Sequence, residues 1–158
     1  MRYVRRVLQP GETIVYYTKL HWLIYVNTVL LLFACIILAG AAIATSDNQS
    51  ITLAFQIAAV IFALFALSAG LRAFIRRATT ELAVTDHRVI YKSGLFSRHT
   101  IEMNRDKVES VDVDQSLLGR IFGYGTVIVR GTGGSLEPIR NIGDPLTFRS
   151  HITASPAT

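Results

Sequence analysis

The sequence predicts a membrane-spanning α-helical hairpin followed by an all-β domain that ends in a short helix, and three observations carry that prediction. Two uncharged apolar blocks, Leu23 to Ala44 and Ile51 to Leu71, are separated by the polar stretch Ser46-Asp47-Asn48-Gln49-Ser50. From Thr79 onward the pattern changes to short β-branched runs punctuated by Gly, Asn and Asp, as in an antiparallel all-β unit. Near the end, Asp144-Pro145 puts a capping residue and a first-turn proline where a helix would start. Composition agrees: 51% of the 158 residues are hydrophobic and the mean hydropathy is +0.39, which excludes a disordered or collagen-like chain and is too apolar for an ordinary soluble domain. The single cysteine, Cys35, excludes a disulfide framework and any thiolate-built zinc or iron–sulfur site, since each needs several sulfurs converging on one point.

Residues 1–20 are expected to form a cytoplasmic segment and residues 21–77 the hairpin, with spans at about 23–44 and 51–71. At about 1.5 Å per residue each block reaches roughly 32 Å, enough for a hydrocarbon core of about 30 Å. The linker is too short to cross the bilayer again, and an all-round apolar surface does not suit an amphipathic surface helix. Ala42-Ile43-Ala44 resembles a signal-peptide cleavage site, but a signal peptide has an apolar core of about 7 to 15 residues behind a short basic leader. A stable anchor is expected instead.

Charge sets the expected orientation. Arg2, Arg5, Arg6 and Lys19, against Glu12, precede the first span and Arg72, Arg76 and Arg77 follow the second, whereas the connecting loop carries Asp47 and neither Lys nor Arg. The positive-inside rule puts both termini in the cytoplasm, with Trp22 and Tyr25 where aromatic-belt residues sit. Beyond position 77, nine basic and nine acidic residues cancel. The net charge of +5 and the pI of 9.7 therefore belong to the membrane flanks, and no basic stripe for nucleic acid is expected on the folded domain. The flanking cations read first as topology signals and second as contacts for anionic lipid, worth about 1 kcal/mol each near the surface.

Residues 78–153 are expected to hold six strands: Thr80–Thr85, Arg88–Ser93, Arg98–Asn104, Lys107–Gln115, Gly125–Arg130 and Ser135–Arg140. Alternation puts Leu82, Val84, Ile101 and Met103 on one face, the core. Val108 is out of phase with Val111 and Val113, which predicts a bulge near Glu109. Pro138 demotes the last strand to a sheet edge. The closing helix is expected to carry Leu146, Phe148, Arg149 and Ile152, and residues 154–158 are expected to form a frayed, disordered tail.

A resemblance rests on these residues. The run Glu81-Leu-Ala-Val-Thr-Asp-His-Arg-Val-Ile-Tyr-Lys-Ser-Gly-Leu-Phe-Ser-Arg, then Val108-Glu-Ser-Val, Gln115-Ser-Leu-Leu-Gly-Arg-Ile-Phe-Gly-Tyr-Gly-Thr-Val, Ile142-Gly-Asp-Pro and the early Pro10-Gly11-Glu12 together resemble the bacterial pleckstrin-homology (PH) domain membrane proteins. The match runs over essentially the whole chain. It implies two transmembrane helices at the bacterial inner membrane and a cytoplasmic PH-like split β-barrel or sandwich plugged by a C-terminal helix. That fold usually has seven strands. Glu12–Thr18 either returns to the domain as the missing one or extends the first helix.

Few residues suggest chemistry. His21, His87, His99 and His151 have no spacing that pairs two imidazoles on one helix, so no metal site is expected. No nucleophile-elbow pattern occurs, and the carboxylates alternate outward along strands, so neither an enzyme nor a cofactor is expected. Gly131-Thr132-Gly133-Gly134-Ser135 reads as a hairpin turn rather than a phosphate cradle, because no Lys-Ser/Thr follows it. The spans offer Asn27, Thr28, Cys35, Gln56 and Ser68 and no ionisable pathway residue, which suits an anchor. Asn27 and Gln56 either bond across the helix pair or leave Gln56 alone at depth. Ala39-Gly40-Ala41 and Ser68-Ala69-Gly70 would allow close helix packing.

The insert from Ser116 to Tyr124 is the candidate interaction loop, with Leu117, Leu118, Arg120, Ile121, Phe122 and Tyr124 where a polar connection would be ordinary. It is either a helical turn closing the barrel or an exposed apolar patch for lipid or a protein. Three functions stay open. The first is a non-enzymatic scaffold that binds a protein partner or its own copies beside the bilayer. The second is a lipid-headgroup sensor using Arg88, Lys92 and Arg98, against which Asp86 in the first hairpin would repel phosphate. The third is an accessory subunit of a transport or antimicrobial-resistance complex, which the resemblance alone suggests.

Overall fold

The computed structural model describes residues 3–95, 99–132, 134–135 (backbone only) and 138–154. The chain divides into two compact units, Met1–His21 with Arg76–Thr158, and Trp22–Ile75.

The first unit is built from two antiparallel sheets. Strands β1 (Ile14–Thr18), β2 (Glu81–Thr85), β3 (Arg88–Ser93) and β4 (His99–Asn104) form one sheet in that order. In the other, β6 (Tyr124–Gly131) pairs with β5 (Val108–Asp114), with the two-residue β7 (Gly134–Ser135) and with β8 (Ile139–Gly143). Helix α5 (Pro145–Thr153) buries Pro145, Phe148 and Ile152, the last two four residues apart and so on one helix face. The main core gathers Leu82, Val84 and Val89 of the first sheet, Val111, Val127, Val129, Ile139 and Ile142 of the second, and the α5 side chains Phe148 and Ile152. Ile101 and Met103 pack against it half-buried, as the strand alternation predicts.

Residues 12–18 do not extend a helix. Their β-branched and tyrosine run forms β1, with Tyr16, Tyr17 and Thr18 opposite Val84, Ala83 and Leu82. This strand precedes the apolar helices in sequence and β2 follows them. Alternation predicts one buried face on β2, yet every residue of that strand is buried. The reason is a second small core on the other face, where Val4, from the one-turn helix α1 (Val4–Val7), packs with Ala83, Ile90, Ile14 and Tyr17.

Other differences are local. The last expected strand, Ser135–Arg140, is replaced by β7 and β8, and Pro138 stands outside both, consistent with its missing ladder donor. Lys107 sits in a 3₁₀ turn (Arg105–Lys107) rather than in β5, and the expected bulge falls between Val108 and Ser110. Asp144 precedes α5 but lies in the left-handed region at φ 51° and makes no side-chain cap; its N–H donates to Gly123 O at 2.9 Å.

The second unit contains a 3₁₀ turn (Trp22–Tyr25), helix α2 (Val26–Ala44) and most of α3 (Gln49–Thr79). Helix α3 continues past the apolar block through Arg72, Arg76 and Arg77, because nothing in this stretch of good helix formers stops it. The hairpin turn is tied by Thr52 Oγ1, which donates to Thr45 O at 2.6 Å. Between the helices, Cys35 Sγ donates to Ala59 O at 3.4 Å. Gly70 packs closely there, since a Cβ on it would lie 3.2 Å from Thr28 Cγ2, whereas Gly40 faces open space. Asn27 and Gln56 are both exposed. Helices spanning Trp22–Ala44 and Gln49–Thr79 are long and apolar enough to cross a membrane, and little of either is buried.

Candidate interaction surfaces

The first hairpin of the β-unit is where a headgroup site would be sought, and its central cation is already engaged. Arg88 opens β3 and forks onto Glu12, donating from Nε and Nη2 to the two carboxylate oxygens at 2.9 and 2.8 Å. Its Nη2 also donates to Val7 O at 2.8 Å, and Nη1 donates to Glu102. Glu12 further accepts from Thr85 Oγ1 at 2.7 Å and from the Gln9 N–H at 2.8 Å. The Arg88 and Glu12 side chains are only 12% and 2% exposed. Beside them, Asp86 accepts from the Thr13 N–H at 3.1 Å, and Glu81 accepts the N–H groups of Tyr3 and Val4. Pro10-Gly11-Glu12 and the Thr85-to-Arg88 turn are thus one lock, in which bidentate geometry gives both strength and register.

Burial alone would raise the Glu12 carboxyl, but hydrogen bonds from Arg88, the Gln9 N–H and Thr85 prevail and hold it at about 2, below the ordinary 4.5. A carboxyl depressed on folding contributes stability that is complete above its unfolded pKa and is lost as pH falls toward the folded one. The loss is therefore expected between about pH 4.5 and pH 2, and totals on the order of 3 kcal/mol. Denaturant midpoints of the detergent-solubilised chain across that range check it, and Glu12→Gln should flatten the profile.

The other two headgroup candidates are Lys92 and Arg98. Lys92 is half-buried with Nζ 5.6 Å from the Tyr3 ring centre, and Arg98 lies outside the described residues. Among the topology cations, Arg5 and Arg6 are exposed on α1, Lys19 is exposed beyond β1, and Arg72 and Arg76 are exposed on α3, where Arg77 is half-buried. Arg2 lies outside the described residues.

The insert between β5 and β6 is both helical and exposed. It is a helical turn, α4 (Leu117–Phe122), and its large apolar side chains point outward. Ser116 caps its start by accepting the Gly119 N–H at 3.1 Å. Gly123 ends it in the left-handed region at φ 69°, a conformation that costs glycine little. Gln115 Nε2 donates to Tyr124 O at 3.1 Å. Gly119 is buried against the strand, where a Cβ would come within 2.6 Å of Tyr124 O. With that side held, Leu117 and Ile121 are 78% and 75% exposed, and Leu118 and Phe122 are exposed beside them. The two pairs have i, i+4 spacing and form one stripe. Arg120 is exposed on the same helix, and Tyr124 is half-buried on β6. A shallow polar cleft of about 380 Å³ adjoins this end, lined by Asp114, Gln115, Ser116, Tyr124, Gly125, Thr126 and Asn141. Among the described residues no three His, Cys, Asp or Glu side chains converge as a metal site would require.

The pairing of Glu12 with Arg88 is not among the expectations from sequence. The available signal was an acid beside a tight-turn glycine (φ 88° at Gly11) in a segment otherwise rich in Arg. In comparison with known proteins, a family model described as a bacterial PH domain matches residues 22–155. No curated protein and no solved structure matches the chain.

Proposed function

The chain belongs to the bacterial PH-domain family, a family of interaction modules, and from that premise we propose that it is a membrane-anchored, non-enzymatic scaffold whose β-unit sits at the cytoplasmic face of the bacterial inner membrane. The observation that carries the reading is the surface of the two long helices. Phe33, Ile36, Ile43, Leu64 and Leu67 are each more than 60% exposed, a density of apolar surface that water does not tolerate and lipid does. The pairing of β1 with β2 supports a hairpin. One strand precedes both helices and the other follows them, so an even number of crossings must separate them. The basic flanks and the Asp47 loop support the cytoplasmic side.

The headgroup-sensor reading is disfavoured by Arg88, whose donors are committed to Glu12, Glu102 and Val7. Tethering favours a protein partner or a second copy, since it raises effective concentration without high intrinsic affinity. Two measurements test the proposal. A membrane-impermeant thiol reagent applied to intact cells should modify Asn48→Cys, and should modify Glu109→Cys only after lysis, both in a Cys35→Ala background; the reverse pattern overturns the orientation. The chain extracted in mild detergent should run as a homo-oligomer or with a stoichiometric second protein. A partnerless monomer would overturn the scaffold role, and a co-purified transporter or resistance protein would specify it as an accessory subunit.

A further inference from the structure

The exposed helix α4 stands at the place where the chain leaves the β-unit. Its C-terminal Gly123 accepts the Asp144 N–H at 2.9 Å, and the next residue, Tyr124, pairs with Gly143 in the sheet. Gly143 N–H donates to Lys19 O at 3.3 Å, and His21 N–H donates to Asn141 O at 2.6 Å. The His21 ring stacks on the Tyr124 ring with centres 5.7 Å apart and planes 22° from parallel. His21 is the last residue of this unit before the chain passes into the apolar helices. The returning chain comes back to the same end, since Leu82 near the start of β2 pairs with Thr18 at the end of β1. Only one residue, Gly123, separates Phe122 from Tyr124, at most about 7 Å of chain.

Resting on the membrane-anchored reading above, we infer that α4 is a second, shallow membrane contact: Leu117, Leu118, Ile121 and Phe122 insert among the lipids at the headgroup boundary beside the point where the spans begin. The occupant of this face is phospholipid, not protein. A partner protein has no feature here that selects it, whereas both chain crossings bring the bilayer to this end of the unit. The driving force is apolar burial. Arg120 and Lys19 supply cations at this end, but Asp114 and Asp144 are exposed there too, so charge alone would not hold it. A helix anchored on its buried side by Gly119 and offering two apolar i, i+4 pairs suits interfacial insertion, in which an apolar face lies in the plane of the membrane.

The test uses the full-length chain in nanodiscs of phosphatidylethanolamine and phosphatidylglycerol, which leave both faces open to reagents. An environment-sensitive fluorophore is placed singly, in a Cys35→Ala background, at Ile121→Cys, at Leu118→Cys, at Glu109→Cys and at Leu64→Cys. Glu109 lies five residues along β5 from Asp114, about 16 Å away at strand spacing. The α4 labels are expected to be quenched by lipids spin-labelled high on the acyl chain, and to be reduced by aqueous dithionite severalfold more slowly than the Glu109 label. If the Leu64 label is quenched but both α4 labels react as fast as the Glu109 label, the inference is overturned while the anchored reading stands. Shielding of the α4 labels from both reagents also overturns it, since a protein then covers the helix. If the Leu64 label escapes the spin-labelled lipids, the anchored reading fails and this inference with it.

Discussion

Replacing Arg88 with methionine is expected to destabilise the β-unit by about 3–5 kcal/mol, the usual consequence of deleting one member of a buried ion pair. Methionine keeps most of the aliphatic bulk, so the loss is chiefly electrostatic. The Glu12 carboxylate, 2% exposed, would keep its Thr85 and Gln9 donors but lose the fork that neutralises it. The effect should spread beyond the site. Val7 O loses its partner, and the segment that carries Val4 into the second core loses one of its ties to β3. Amide hydrogen exchange on the detergent-solubilised chain reads this directly, with β1 expected to lose more protection than β6. The double variant Glu12→Gln with Arg88→Met should recover part of the loss, because no charge is then left buried. Unchanged exchange in Arg88→Met would show that the pair contributes little and that β1 is held by its ladder alone.

That lock also marks where the sequence was legible and where it was not. The two apolar helices, the strands from Glu81 to Gly131 and the closing helix were readable because each has a local signature: uncharged runs of bilayer length, period-two alternation, and proline at a helix start. The role of residues 12–18 was not readable, because Thr-Ile-Val-Tyr-Tyr has no local preference strong enough to decide between a strand and a helical extension. Its partner, β2, lies beyond both apolar helices, and pairing across that separation leaves no trace in local pattern. The same holds for Glu12. Counted as a charge it diluted the basic flank, and only the fold shows that it neutralises the very arginine offered as a headgroup contact. For the candidate loop the sequence leaves a helical turn or an exposed apolar patch open, and the structure has a helical turn whose large apolar side chains are exposed. The helical turn is set by Ser116 and Gly123, and its exposure is set by buried Gly119, which turns the small residue inward and the large ones out.

Phe148→Ala is the second large effect, expected at about 3–5 kcal/mol. Phe148 is fully buried and enters the main core from α5, where it meets Tyr16 of β1 with ring centres 6.2 Å apart. It therefore joins residues of both sheets to the last helix. Truncation leaves a cavity that the sheets cannot readily close, since each is held in register by its own ladder. Leu146 on the same helix is 57% exposed, and Leu146→Ala should stay within about 0.5 kcal/mol. The contrast between the two separates docking of α5 from its helical propensity, because both substitutions put the same residue into the same helix. Urea midpoints of the solubilised chain measure both. Equal small shifts would mean that α5 lies on the sandwich without plugging it, and that the main core is held by the two sheets alone.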